Sequence, residues 1–270
     1  MNRKIFFLPV LFFVLLSLFQ PSSAYCLDQP FDHSSWEKFL QKVVNEKGEI
    51  NYKAAKEDSS LLNEYLDRIA KIDILDFQNN WPREEKLALL LNVYHAGVIR
   101  AIANAYPVKS IQGIVGVWEN QDIAIAQRNF SLNHILKNGL IGTFRDEKVH
   151  TVLFTGAKSS PRLRREAFTG AKVEGQLFVA AREFVNNPEI NKIVPGEKKI
   201  HISSIFKWHA ADFLLDFGRF EPDEKFSKHE LAVLSFLAHY LNDTEKISYL
   251  EERNYKVAYL PFDWDLNEWH

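Results

Sequence analysis

REEKLALLLNVYHAGVIRAIANA, residues 83–105, decides how this chain folds. Leu87, Leu91, Tyr94 and Val98 fall on one stripe of a 3.6-residue period, and Ala88, Asn92, His95 and Ile99 on a second. A helix that is apolar on most of its circumference belongs inside the fold rather than on it. Pro82 suits a helix start, and Glu84 and Glu85 suit the positive end of the helix dipole. Pro107 sets the stop, because the residue before a proline avoids the helical region. The expectation is one long central helix that other elements wrap.

Outward from it, amphipathic patterns predict helices over 32–45, 61–70, 174–186 and 229–241. Asn51-Tyr52 lie in a predicted turn or short strand after Gly48. Ser203 or Ser204 would cap a helix running to Phe213. Strands are expected at Val149–Thr155, at Lys199–Ser203, and at the start of the closing stretch Val257–Trp264. Helices outnumber strands and the strands come late, which points to an α+β fold: the buried helix packed on a small, mostly antiparallel sheet with further helices around it.

The 270 residues are 46% apolar and 25% charged, enough for a sizeable core, and the net charge of −2 gives no global field for nucleic acid. Asn2-Arg3-Lys4, the apolar run Ile5–Phe19 and the small-residue site ending at Ala24 form a secretion-signal pattern. Residues 1–24 are therefore expected to be a leader, and 25–270 a single exported domain, periplasmic or secreted, with no second apolar span. Cys26 is the only cysteine, so no intrachain disulfide and no thiolate cluster can form.

Chemistry-bearing residues gather in VHTVLFTGAKSSPRLRR, residues 149–165. His150 reads as a general base or as a satisfied core histidine. Lys158, Ser159 and Ser160 follow a Gly156 turn whose N–H groups could receive an oxyanion, although the segment is not the G-x-S-x-G elbow. Asn92 and His95, three apart on the central helix, would line a site or form a structural polar network. Lys207, Trp208 and His209 precede Asp212 on one predicted helix, where Asp212 could orient a histidine as the third member of a triad does. There is no HExxH, no paired ligand spacing and no dinucleotide fingerprint, so neither a metal nor an organic cofactor is expected.

The chain resembles the uncharacterised DUF547 family. The resemblance rests on Trp36, Asn51-Tyr52, LNVYHA (91–96), YPVKSI (106–111), Ser131-Leu132, Val149-His150, GAKSSPRLR (156–164), SSIFKWHAADF (203–213) and LPFDWDLN (260–267), over nearly the whole chain after the leader. The family usually has Tyr-Asn at Tyr94-His95, Ile-Glu-His at Ile135-Leu136-Lys137, and cysteines at Thr155 and Ser160. A thiol chemistry, if the family has one, is absent here, and serine needs far more activation than a thiolate. A helix followed by a His-bearing strand is also distantly similar to papain-like or transglutaminase-like folds, an analogy of architecture alone.

Three roles follow. The first is a ligand-binding or degenerate-enzyme domain with a pocket formed by Asn92, Tyr94, His95, His150 and Ser160, and Lys158, Lys207 and Trp208 nearby, taking a small molecule. The second is a hydrolase or acyltransferase with Ser160 as nucleophile, His150 as base and Asp212 as orienter. The third is an envelope protein-interaction module using the basic segment Arg162–Arg165.

Overall fold

A computed structural model describes residues 30–120 and 122–270. The expected leader and Cys26 lie outside the described residues. The chain begins with α1 (Ser34–Val43), α2 (Tyr52–Glu57), α3 (Ser60–Ala70) and α4 (Ile74–Asn79), then the long α5 (Arg83–Ala105). A hairpin of β1 (Ile123–Ile125) and β2 (Arg128–Phe130) leads to α6 (Leu132–His134), a π-helical turn (Ile135–Ile141) and α7 (Gly142–Phe144). After a 3-10 turn at Glu147–Thr151 and a long irregular stretch come α8 (Val173–Asn186), β3 (Lys199–Ile202) and α9 (Ser204–Trp208). A second 3-10 turn (Ala210–Phe213) runs into α10 (Leu214–Phe217), and α11 (Lys228–Tyr240), α12 (Thr244–Glu252) and β4 (Lys256–Tyr259) close the chain.

The fold is α+β, and α5 spans the residues its periodicity predicts. It is buried on every side: Leu87, Leu91, Val98 and Ile99 are 0% exposed, as are Val93 and Ala96 between the two stripes. By length and composition alone α5 could cross a membrane, but 83% of its apolar window is buried against the rest of the protein. Gly97 lets the hairpin lean on it: a Cβ there would come within 2.4 Å of Ile123 Cδ1.

Two apolar cores share α8. Val173, Leu177 and Ala180 pack into the core around α1, α3 and α5, whereas Ala181, Phe184 and Val185 face a second core built on α9, α11 and β3. The sheets are smaller than expected and not mostly antiparallel. β1 and β2 pair antiparallel, while β3 and β4 pair parallel, with Ile200 opposite Val257.

The predicted strand at Val149–Thr155 does not form. Its first part is the 3-10 turn, started by Asp146, whose side chain accepts from Lys148 N. Val149, His150, Val152 and Phe154 are all at most 3% exposed, so the run is buried on both faces and carries no alternation to select a strand. The His95 side chain supplies a partner that a neighbouring strand would otherwise give, its Nε2 lying 2.9 Å from the Val152 carbonyl. Asn51 and Tyr52 also differ from expectation: Asn51 caps α2, accepting from Ala54 N, and Tyr52 starts that helix. The helix expected through Phe213 breaks at His209.

The C-terminal tail locks the irregular stretch. Lys158 N donates to Asp265 O, Ser159 N to Asp263 O, and Asn267 N to Gly156 O. Ile50 N donates to Asn267 O and Trp269 N to Ile50 O, tying the same tail to the segment between α1 and α2. Gly156, at φ +85°, turns where a Cβ would meet Ile102 Cδ1 of α5 at 2.3 Å.

Candidate functional site

Where the two cores meet, they leave a cavity of about 200 Å³. Its walls are aromatic and aliphatic. Trp118, Leu136, Leu153 and the tail's Trp264 come from the first core's side, Ile205 and Phe262 from the second's, and Trp208 from the end of α9. Trp208, Phe262 and Trp264 form a triangle of rings with centroids 4.5–6.0 Å apart. Trp208 is 50% exposed, which places this triangle at the rim.

The polar lining is unusual. Tyr94 Oη, His150 Nδ1 and Thr155 Oγ1 are each buried without a hydrogen-bond partner, and all three residues line this cavity. Buried polar atoms normally find partners, and leaving one unmet costs about 1–3 kcal/mol. Three such atoms around one cavity make a set of unmet donors and acceptors. Burial pushes the Tyr94 phenol well above its usual range, so it stays protonated and can donate.

His150 is held from behind. Its Nε2 lies 3.0 Å from Asp212 Oδ2. With Nε2–H donating to that carboxylate, a neutral ring leaves Nδ1 as a buried acceptor without a partner. The 3-10 geometry explains how Asp212 arrives: with three residues per turn, Asp212 stands beside His209, and the two face His150 together. The His150 hydrogen bond, ahead of the opposing cost of burial, holds the Asp212 carboxyl below its ordinary value. The His209 ring stacks on His150 at 4.1 Å and 22°. Burial, and then the charge a protonated His150 would carry, lower His209 to about 4. Behind this group a second cavity, about 280 Å³, is lined by His150, Asp212 and Glu147.

Other expected site residues fall elsewhere. Asn92 is wholly structural: Oδ1 accepts from Trp36 Nε1 and Phe168 N, and Nδ2 donates to Phe168 O and reaches His33 Nδ1. His95 is spent on Val152, and burial holds it at about 4 despite that bond. Lys158 is at the surface, 3.5 Å from Asp265, and Lys207 lies over the Tyr259 ring. Ser160 lines the cavity, but its hydroxyl donates to Ala157 O at 2.6 Å rather than to His150. The proposed oxyanion turn is committed too, since the Lys158 and Ser159 N–H groups bond the tail. Arg164 pairs with Glu166 and Glu183, and Arg165 with Glu46, so much of the basic segment's charge is met internally.

Thr155 is legible by type as a hydroxyl closing the His150 segment, although Ser160 is the one given a role there. Trp118 carried no signal beyond being aromatic, whereas Phe262 and Trp264 lie in the LPFDWDLN motif.

Residues 78–185 match the family model DUF547, described as a protein of unknown function. That span holds Tyr94, His150, Thr155 and Ser160, whereas Trp208, His209 and Asp212 lie beyond its end. No curated protein and no solved structure matches the chain.

Proposed function

We propose that this chain, a DUF547 segment over residues 78–185 with further elements completing its cavity, binds a small molecule in a site shaped like an active centre but short of a reactive nucleophile. The observation that carries this reading is the set of three buried, unpartnered polar atoms, Tyr94 Oη, His150 Nδ1 and Thr155 Oγ1, on one aromatic-walled cavity. A mostly apolar wall with a few convergent polar groups is the usual composition of a ligand pocket. The volume suits a ligand of one ring or a short acyl group, with a polar end that both accepts from Tyr94 and donates to His150.

The dyad of His150 and Asp212 has the layout of a base and its orienter. A serine-dependent hydrolase or acyltransferase is disfavoured by the Ser160 hydroxyl, which is turned to Ala157. Thr155 offers the cavity an aliphatic hydroxyl without a partner, and a secondary alcohol at a cysteine's position is a poor nucleophile unless a base reaches it. Binding without turnover therefore fits these residues best. Export through the leader at residues 1–24 belongs to the same proposal, and sequencing the mature N-terminus tests it; Tyr25 is the expected first residue.

The test is a ligand-observed NMR screen of one-ring and short-amide fragments against the wild type and Leu136→Trp, which fills the cavity. Hits that compete with one another and vanish in the filled variant support the reading. No hits, or hits indifferent to Leu136→Trp, count against it.

A further inference from the structure

A hydrogen bond accounts for His150 and Asp212, but not for the approach of His209 to the same carboxylate. One carboxylate oxygen, Asp212 Oδ2, faces both imidazoles, at 3.0 Å from His150 Nε2 and 3.7 Å from His209 Nδ1. The longer separation is beyond hydrogen-bond reach. One ligand atom from each of the three residues can be chosen within 4.8 Å of the others. Ligands about 2.0–2.1 Å from a tetrahedral zinc sit roughly 3.3 Å apart, a value the 3.0 and 3.7 Å separations bracket.

The geometry points to a divalent transition-metal site, of the zinc class, formed by His150 Nε2, His209 Nδ1 and Asp212 Oδ2. Two imidazoles and one carboxylate are a donor set that such ions take, with at least one further position for water or an exogenous ligand. The second cavity, against His150 and Asp212, has room for that position. The two rings, stacked at 4.1 Å, cannot both carry charge without repulsion, and the neutral imidazole is the form that ligates. Stacked rings aim their lone pairs side by side, so binding asks one ring to fan outward. His209 is the one that can move: its side chain is 30% exposed, against 2% for His150, and it sits at the break between α9 and the 3-10 turn.

Binding exchanges the Nε2 proton of His150 for the metal. A neutral imidazole keeps one proton, so it then resides on Nδ1, and that buried nitrogen of a cavity-lining residue changes from acceptor to donor. This consequence alone rests on the pocket reading; the metal site does not. The sequence shows no ligand spacing because His150 stands 59 residues before His209, and His209-x-x-Asp212 is too short a motif to signal a metal by itself.

Cobalt(II) titrated into the metal-free full chain tests the site, read by visible d–d absorption and by equilibrium dialysis. The expected result is one equivalent of cobalt with the intense bands of a low-coordinate ion, displaced by zinc. His209→Ala and Asp212→Asn should each weaken binding at least tenfold, while His134→Ala, a surface control, leaves it unchanged. Circular dichroism establishes that the variants fold, and His209→Asn, a smaller change, serves if the alanine variant does not. Absence of the cobalt spectrum in the wild type, or binding that folded His209 and Asp212 variants retain, overturns the proposal.

Discussion

His150 is bonded through Nε2 to Asp212 at 3.0 Å, while its Nδ1 is buried at the cavity with no partner. The ring is thus bonded on one side and unpartnered on the other. His33, in the core, likewise has one ring nitrogen bonded and Nε2 unpartnered, so what sets His150 apart is that its residue lines a cavity.

If Thr155 Oγ1 serves a ligand and not the fold, Thr155→Val should cost no stability. The substitution removes an unpartnered buried hydroxyl and keeps the shape, so urea denaturation should give an unchanged or higher unfolding free energy, by up to about 1 kcal/mol. Fragment binding should weaken in the same variant. A loss of more than about 1 kcal/mol would mean that the hydroxyl has a structural partner.

Asn92 should behave in the opposite way. Its amide joins α1, α5 and the Phe168 segment through four contacts, none of them to the cavity. Asn92→Ala should destabilise by about 3 kcal/mol or more, since it leaves buried donors and acceptors unmet. Its effect on fragment affinity, measured below the shifted melting temperature, should be small.

Acid should weaken the fold well before the carboxylates titrate. Burial holds both His33 and His95 at about 4, against 6.5 for the exposed side chain. The unfolded chain takes up these protons as pH falls through 6.5, and the native chain resists until about 4. The stability each contributes is therefore full above 6.5 and is lost progressively between 6.5 and 4. The slope should approach 1.4 kcal/mol per pH unit for each, at order-of-magnitude level. Denaturation series at several pH values check this, and His95→Gln should make the slope shallower. Glu147, raised by burial to about 7, opposes this slope and His209 adds to it, so the deciding comparison is between variants: a slope unchanged in His95→Gln would contradict the burial of that ring.

Trp208 separates binding from folding. It is half exposed and packs on Phe262 and Trp264 at the rim. Trp208→Ala should shift the melting temperature by only a few degrees yet reduce fragment affinity about tenfold, as removal of an aromatic anchor does. Equal affinity in that variant would move the ligand away from the rim.

Much of this was legible in the chain. The central helix followed from periodicity and two prolines, and the 174–186 helix, the 199–203 strand and the 229–241 helix were read within a residue or two of their bounds. The Val149–Thr155 strand failed because a run buried on both faces has no period, and a side chain of α5 met its backbone. Of the site, His150, Asp212, Tyr94 and Trp208 were named from sequence, and Ser160 was named in a role its hydroxyl does not take up. Asn92 and His95 were placed in the pocket because they share a helix face with each other, and that face turns to the core. The unmet atoms were invisible, since whether a hydroxyl has a partner depends on the tertiary packing of distant segments.

The most direct measurement is a crystal structure of the protein soaked with the tightest fragment from the screen. The account predicts density in the cavity between Trp118, Trp208 and Trp264, with a polar atom within hydrogen-bond distance of His150 Nδ1 and of Tyr94 Oη or Thr155 Oγ1. A fragment bound only elsewhere, with those three atoms satisfied by one another or by water fixed in place, would contradict it.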